Sequence, residues 1–578
     1  MSTAGATTTP DWQAFLERDS IRELDARART RALLDGGTMR ELCGPFDRLE
    51  SPWLLPQGVV PESDDGIVIA RGTIAGQPVV VAAIEQGFQG GAIGEVSGTK
   101  ISHALRLAAA DSRNGTPTAA VLLLETGGVR LQEANLGLTA VAEICSALLE
   151  LRPLAPVIGV IAGDVGCFGG VSIAAGLCTQ LIMTEEGRLG LNGPAVIEQE
   201  AGRDEFDSRD RRLTRAIDGA EQRHATGLAD RLVEDDIAAV RDAVAEAIVA
   251  GPAPAGTHRS ERVDVLASRL ASIDPRRPVE PVGLRTLWGD TYVPVTTARA
   301  ETAEPRPDRG DGEAASRGRT WLKALGDADE PTQVIPSLLM AARGDTVFLA
   351  IVPDPASRYH RARAGEVGLA ECLALAQTLD QIAADDTARS RRRAIVAVVD
   401  LPSQAYGRLE EAAGLHQAIA TTVDAYVRAR NAGHPVVAVV VGTALSGGFL
   451  THGLQASSII ALDAPGVEIH AMHKRAAARI TRRTVEELDE LATRVPPLSY
   501  DIRTWATLGL CDALIAVGDP DDPAPADVEA VRRAVDEQIP GAQGRSDLAY
   551  RLDTPGAQDT RAASRRVRDQ MTGQWTTS

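Results

Sequence analysis

Glu125-Thr126-Gly127-Gly128-Val129-Arg130-Leu131-Gln132-Glu133-Ala134-Asn135-Leu136-Gly137 carries a Gly-Gly pair between two segments of opposite character. The apolar run 119–124 (AAVLLL) precedes it and reads as a buried strand. Leu136, Leu138, Val141, Ile144, Leu148 and Leu149 follow at helical spacing. A Gly-Gly pair therefore sits where a strand stops and a helix starts. Without Cβ atoms, Gly127 and Gly128 leave their N–H groups open to a ligand. A helix N-terminus nearby adds partial positive charge. That combination suits a developing oxyanion. A lone Gly-Gly is more often a plain turn, so the rest of the chain must decide.

Downstream, 156–162 (PVIGVIA) is the next buried strand, and a loop ending in Gly169-Gly170 carries it into another helix. Upstream, 66–71 and 78–84 read as short strands, and a loop over 90–98 leads into a helix over 99–111. This alternation predicts βαβ units and an α/β fold. Residues 295–318, rich in Pro, Gly, Ala and charge, read as a linker. Beyond them the pattern is replayed. Gly365-Glu366-Val367 echoes Gly94-Glu95-Val96, AIVAVV (394–399) echoes AAVLLL, and PVVAVVV (435–441) echoes PVIGVIA. The last leads to Ser446-Gly447-Gly448. Several echoes in one order predict an internal duplication. The expected division is a flexible tail over 1–20, a first domain over 21–285, the linker over 295–318, a second domain over 319–530 and a charged, mobile tail over 547–578.

With 578 residues the chain is too long for one core. Its net charge of −19 argues against nucleic acid or an anionic membrane as a main partner. No apolar run has the length of a membrane span, and the N-terminus lacks signal-peptide character. Six scattered cysteines without a CxxC pair fit a reduced, cytoplasmic setting. The histidines show no metal-ligand spacing, so no metal is expected.

The segments after the glycine pairs, VSIAAGL (171–177) and FLTHGL (449–454), hold no carboxylate. A hydratase or proton-shuffling isomerase would want one there. Stabilising an enolate, as loss of CO2 from a β-keto-type acid requires, would not. Two tempting motifs fail. GEVSGTK (94–100) has the wrong spacing for a phosphate loop. ALSGG (444–448) has Ala where a nucleophile elbow has Gly, so Ser446 reads as a hydrogen-bond donor or a turn residue. His473-Lys474-Arg475 with Arg479, Arg482 and Arg483 forms a basic run with helical spacing. It is either a solvated face or a site for the phosphates of a CoA-like arm or for an acidic carrier protein.

TGGVRLQE (126–133) resembles the Ser-Gly-Gly-x-Arg-hydrophobic-Gln-Glu-Gly pattern of acyl-CoA carboxyltransferases of the crotonase superfamily, with Thr126 for Ser and Ala134 for the closing Gly. FQGGAIGEVSG, LLLETGGVRLQEANLGL, GVIAGDVGCFGG and RLGLNGPAVIEQEAG resemble the β subunit of biotin-independent malonate decarboxylase. IVPDPASRYHRARAGEVGL, VVDLPSQAYGRLEE and RTWATLGL resemble its γ subunit. The likeness covers residues 20–285 and 319–515, with the two subunits fused. It implies two crotonase-like (ClpP/crotonase) carboxyltransferase domains related by internal duplication, with the site between them. The substrate it implies is a malonyl thioester on the CoA-derived prosthetic group of an acyl carrier protein, decarboxylated to the acetyl thioester. No cofactor is then bound by this chain itself, and no biotin is used. The implied partners are the carrier protein and an acyl-carrier-protein transferase subunit.

The resemblance implies one oxyanion hole at Gly127 and Gly128, with Gly169 and Gly170 beside it. It implies a second around Gln404, Ala405, Ser446, Gly447 and Gly448, and it offers Tyr406 as the group that returns a proton. Arg130, Gln132, Lys474, Arg475 and Arg479 are the expected contacts of the carrier's arm. Three other readings stay open: carboxyl transfer to or from a biotin carrier, a scaffold that only docks a carrier protein, and a serine hydrolase built on Ser446.

Overall fold

The computed structural model describes residues 18–163, 165–277, 280–295 and 314–576. In the first half, strands β1 (Arg40–Leu42), β2 (Ile67–Ile74), β3 (Gln77–Ile84), β4 (Ala119–Leu123), β5 (Val157–Ile161), β6 (Gln180–Thr184) and β7 (Arg231–Val233) lie side by side in chain order. β1 to β3 are antiparallel, and β3 to β7 are parallel. Parallel neighbours need crossovers. Helix α1 (Glu95–Arg113) joins β3 to β4, α2 (Ala134–Leu151) joins β4 to β5, and α3 (Gly170–Leu177) joins β5 to β6. β4 and β5 are buried at every residue, which is why they read as unbroken apolar runs.

The second half repeats the scheme. Its sheet contains β8 (Thr332–Ile335), β9 (Leu338–Arg343), β10 (Thr346–Ile351), β11 (Ala394–Leu401), β12 (Val436–Leu445), β13 (Ser458–Asp463) and β15 (Ala513–Ala516), adjacent in that order. β14 (Glu468–His470) pairs with the end of β12. The β9–β10 hairpin stands for β2–β3, and α4 (Leu369–Asp385), α5 (Leu415–Asn431) and α6 (Ser446–Thr451) stand for α1 to α3. Helix α7 (Lys474–Ile480) follows β14, and α8 (Ala562–Thr576) lies near the end of the chain.

Backbone bonds fix how the halves superpose, and they correct two of the sequence echoes. The Ile93 N–H donates to Gly128 O and its carbonyl accepts from the Arg130 N–H, while the Val367 N–H donates to Ser403 O and its carbonyl accepts from the Ala405 N–H. Val367 therefore replaces Ile93, and Ser403 replaces Gly128. The helix caps agree, since Gly94 caps α1 and Gly368 caps α4. The GEV text at 365–367 is thus out of register with GEV at 94–96. In the same way Thr126 bridges Cys167 and Leu401 pairs with Ala444. This makes Ser446 the counterpart of Gly169, and Gly447 that of Gly170, one place from the alignment the glycine pairs suggested. Gly169 has φ +62° and Ser446 has φ +55°.

Contrary to what the chain's length suggests, the halves do not keep separate cores: one apolar cluster runs through both, and a second lies wholly in the first half. α3 and α5 approach so closely that a Cβ on Gly176 would lie 3.0 Å from Ala420 Cβ. Polar ties reinforce the seam: Arg152 pairs with Asp424 at 2.9 Å, and Asn135 Nδ2 donates to Ser499 O at 2.7 Å. The segment Leu131–Leu151 is long and apolar enough to cross a membrane, but it is 94% buried inside the protein.

Residues 1–17 of the expected tail and 296–313 of the expected linker lie outside the described residues. The linker's last residues, Arg317 and Gly318, already belong to a helix, Arg317–Gly326. The C-terminal segment is not a mobile tail. α8 buries Val567, Met571 and Trp575, and the Trp575 Nε1–H donates to Asp111 of α1 at 3.0 Å. Its apolar residues recur at a spacing of four, a stripe that the high charge of the segment hides.

Candidate active site

A cavity of about 490 Å³ lies between the halves. Gly127, Gly128, Gly169 and Gly170 line it from one side, and Gln404, Tyr406, Ser446 and Gly447 from the other. Gln132 reaches its wall as well. Ala405 and Gly448 stand behind the wall. The Ala405 carbonyl accepts from Asn192 Nδ2 at 3.0 Å, and a Cβ on Gly448 would lie 2.8 Å from Ser403 O.

The first-half glycines are needed for a backbone crossing. A Cβ on Gly169 would lie 2.7 Å from Gly128 Cα, and one on Gly128 would lie 3.2 Å from Gly169 Cα. Gly128 also has φ +116°. Their N–H groups do not stand open as the sequence suggests. The Gly127 N–H donates to Gly90 O at 3.0 Å, the Gly169 N–H to Leu191 O at 2.8 Å, and the Gly128 N–H to the Thr126 hydroxyl at 3.0 Å. In the second half the Gly447 N–H donates to Gln404 Oε1 at 2.8 Å.

Two residues that the sequence did not single out, Asn192 and Glu411, hold the seam of the cavity. Gln404 Nε2 donates to Asn192 Oδ1 at 2.7 Å. Asn192 is in turn fixed by Glu411, whose carboxylate accepts from the Leu191 N–H at 3.0 Å and the Asn192 N–H at 2.7 Å. Burial pushes the Glu411 carboxyl up, against the pull of Arg223. Arg223 Nη1 caps the Glu411 carbonyl at 2.8 Å, and Nη2 reaches Asp218 at 3.3 Å. The only sequence sign of Asn192 was its place between Gly190 and Gly193-Pro194, and Glu411 closes the run RLEE (408–411).

None of the described residues lining the cavity carries a formal charge. Tyr406 is half-buried and lines the cavity with Ser446 and Gln404, and burial raises its pKa well above the usual phenol range. Ser446 occupies a strained strand-to-helix turn, but among the described residues no histidine lines the cavity to serve it as a base. His452 is committed to Tyr426 at 2.7 Å and Leu349 O at 3.1 Å, and His470 stacks on Tyr500. Burial lowers His452 to about 4 and His470 to about 3. No cluster of His, Cys, Asp or Glu able to hold a metal occurs among the described residues.

Arg130 does not reach the cavity. It is 1% exposed and pairs with Asp65 at 2.7 Å and Glu133 at 2.9 Å. It pins the turn that presents the glycines, so its expected contact with the carrier's arm is not available. Lys474 pairs with Asp489 at 3.0 Å and lies over the Tyr500 ring. Arg475 and Arg479 are exposed on α7, whose last residue, Ile480, lines the cavity.

Two repeated α/β halves close on an uncharged cavity, and comparison with known proteins puts that frame among the carboxyltransferases. Residues 27–285 match the carboxyl transferase domain family, and residues 362–575 match the malonate decarboxylase gamma subunit family. Over 237 residues the chain is 41% identical to the malonyl-S-ACP:biotin-protein carboxyltransferase MADC of Malonomonas rubra, covering 39% of this chain and 74% of that one. A further 188 residues are 32% identical to MADD of the same organism, covering 32% of this chain and 64% of the relative. One chain of a Pseudomonas malonate decarboxylase hetero-tetramer solved with malonate is 55% identical, covering 48% of this chain and 99% of that one with a TM-score of 0.47. The chain belongs to the malonate decarboxylase branch of the carboxyltransferase family and carries a β-type and a γ-type domain in one polypeptide.

Proposed function

We propose that the chain decarboxylates a malonyl thioester borne by an acyl carrier protein, giving the acetyl thioester and CO2. The observation that carries this reading is the uncharged cavity at the seam of two domains of this family. Breaking the C–C bond of a malonyl thioester delivers its electron pair to the thioester carbonyl as an enolate. The site then needs hydrogen-bond donors and no base to start the reaction. Gly128 can supply one, because its present partner, the neutral Thr126 hydroxyl, is a weaker acceptor than an enolate oxygen. The start of α3 at Gly170 adds N–H groups without helical partners. Across the cavity, the Tyr406 hydroxyl keeps its proton at neutral pH and is the group proposed to return one to the carbon.

Arg475, Arg479 and Gln132 are the contacts proposed for the carrier and its arm. The other partner proposed is the transferase that loads the carrier. No cofactor is bound in this reading, and biotin takes no part. The deciding experiment supplies malonyl thioester to the purified chain with and without a biotinylated carrier. Release of CO2 without it supports the reading. Acetyl thioester formed only with it, the carboxyl group being retained on biotin instead of released as CO2, establishes carboxyl transfer to biotin, the reaction for which the Malonomonas relative is named.

A further inference from the structure

A second cleft between the halves has a volume of about 520 Å³ and is lined by neighbours in sequence of residues that line the main cavity. Tyr406 lines the cavity and Arg408, two residues on, lines the cleft. The helix Pro194–Ala201 gives Val196 to the cavity, and Asp204 and Glu205 just beyond it belong to the cleft. Arg276, Arg277, Arg358, His360 and Arg363 line it together with Arg408. In a chain of net charge −19 such a gathering of guanidinium groups is unfavourable unless something compensates it.

The protein's own carboxylates compensate only part of it. Arg276 and Arg277 share Asp274, and Arg408 lies 3.6 Å from Glu280. Glu205 is consumed by Arg361 at 2.7 Å, His360 at 3.5 Å and the Arg408 N–H at 2.8 Å. Arg358 and Arg363 are held by neutral oxygens instead. Arg358 Nη2 donates to the Tyr359 hydroxyl at 3.1 Å, with its guanidinium over the same ring. Arg363 Nε donates to Ser357 O at 2.8 Å. Among the described residues neither has an ion-pair partner, and both are exposed to the cleft. Their planar forks are therefore oriented yet uncompensated, as bidentate phosphate recognition requires. The concavity has the size of a small-molecule site rather than a flat protein contact.

We infer that this arginine-lined cleft binds a phosphate-bearing small anion, a diphosphate or phosphomonoester, across the two halves. The anion has two conceivable sources, the phosphates of the thioester's own CoA-like arm or a free phosphorylated metabolite. The first source rests on the proposed decarboxylation, and the binding itself does not.

The test uses the full chain and inorganic diphosphate, followed by calorimetry without turnover. Wild-type protein should bind it, and Arg358→Ala/Arg363→Ala should bind at least about tenfold more weakly. Arg358→Lys/Arg363→Lys should fall between, because charge survives but the fork is lost. Circular dichroism and melting confirm that the variants fold. Absence of binding to the wild type, or equal binding by the folded alanine variant, overturns the inference. Turnover then separates the sources. If the arm's phosphates occupy the cleft, the alanine variant raises KM for malonyl-CoA about tenfold and leaves malonyl-N-acetylcysteamine, which has no phosphate, unchanged. If a free metabolite does, neither KM moves and diphosphate binding is still lost.

Discussion

Gln404 donates to Asn192 at 2.7 Å across the seam, and the same carboxamide accepts from the Gly447 N–H at 2.8 Å. One side chain of the γ-type half thereby orients both the Asn192 loop of the β-type half and the turn that opens α6. Gln404→Ala leaves a buried amide and a buried N–H unpaired, at a cost of about 1–3 kcal/mol each. The expected result is a fall in kcat of about 10- to 100-fold in CO2 release, with a smaller change in KM. Asn192→Ala should cause a similar loss, and the double variant should lose little more, because the two act as one unit. Fully additive losses would show that they act separately.

Gly169→Ala and Ser446→Gly make an opposed pair, since the two positions correspond in the duplication and both have positive φ. Alanine at 169 meets the Gly128 backbone at 2.7 Å, which cannot step aside. The strained backbone alone costs about 1–2 kcal/mol, and the contact adds to it. Its melting temperature should drop and CO2 release should vanish. Glycine at 446 removes strain and should stabilise the protein by about 1 kcal/mol. A simultaneous loss of activity in Ser446→Gly would mark the hydroxyl, which lines the cavity together with Tyr406, as the reason the strain is kept.

Much of this was legible in the sequence. Buried parallel strands announce themselves as apolar runs, so 119–124 and 156–162 located the sheet, and the glycine pairs located the cavity. The register of the duplication was not legible, because a three-letter echo such as GEV is decided by side chains while register is decided by backbone pairing. Arg130 looked like a ligand contact because nothing in TGGVRLQE shows that Asp65, more than sixty residues upstream, would claim it. Asn192 and Glu411 were missed for a related reason. Their value lies in a contact across the seam, and no local pattern encodes that contact.

Trp575 tests the correction to the C-terminal segment. It is 4% exposed, its indole N–H donates to Asp111, its carbonyl accepts from Arg71 at 2.7 Å, and the Arg71 guanidinium lies 4.3 Å above its ring. Trp575→Ala should destabilise the protein by about 3–5 kcal/mol. Thermal melting and limited proteolysis should both register the change. An unchanged melting temperature would mean that α8 does not clasp the first half in solution.

Glu410 gives a pH-dependent test of stability. Burial lifts its carboxyl to about 7, and its Oε2 has no hydrogen-bond partner among the described groups. The folded state thus holds this proton more tightly than the unfolded chain, whose glutamates titrate near the ordinary value of about 4.3. Its contribution to stability is full at acid pH and is lost as pH rises through about 7. Glu410→Gln should therefore stabilise the protein at pH 8, by about 3 kcal/mol if the whole shift is expressed, and the gain should shrink towards pH 5. Equal gains at both pH values would show that the carboxyl titrates normally.

Arg475 and Arg479 separate carrier recognition from chemistry. They stand one turn apart on the exposed side of α7, next to Ile480 at the cavity wall, while Lys474 is already committed to Asp489. A carrier delivering its arm to the cavity from this side would meet them first. Exposed charges of this kind steer encounter and are screened by salt. Arg475→Glu/Arg479→Glu should therefore lower kcat/KM for carrier-borne malonyl thioester about tenfold at low ionic strength, and the deficit should fade near 0.5 M salt, where screening acts within about 4 Å. Malonyl-N-acetylcysteamine needs no carrier, and its turnover should not change. Equal losses with both substrates would place the effect in the cavity itself and remove α7 from carrier recognition. The acidic neighbours Glu486, Glu487 and Glu490, exposed on the following helix, sharpen the test: if the carrier's negative face does approach α7, neutralising them should raise kcat/KM for the carrier-borne substrate.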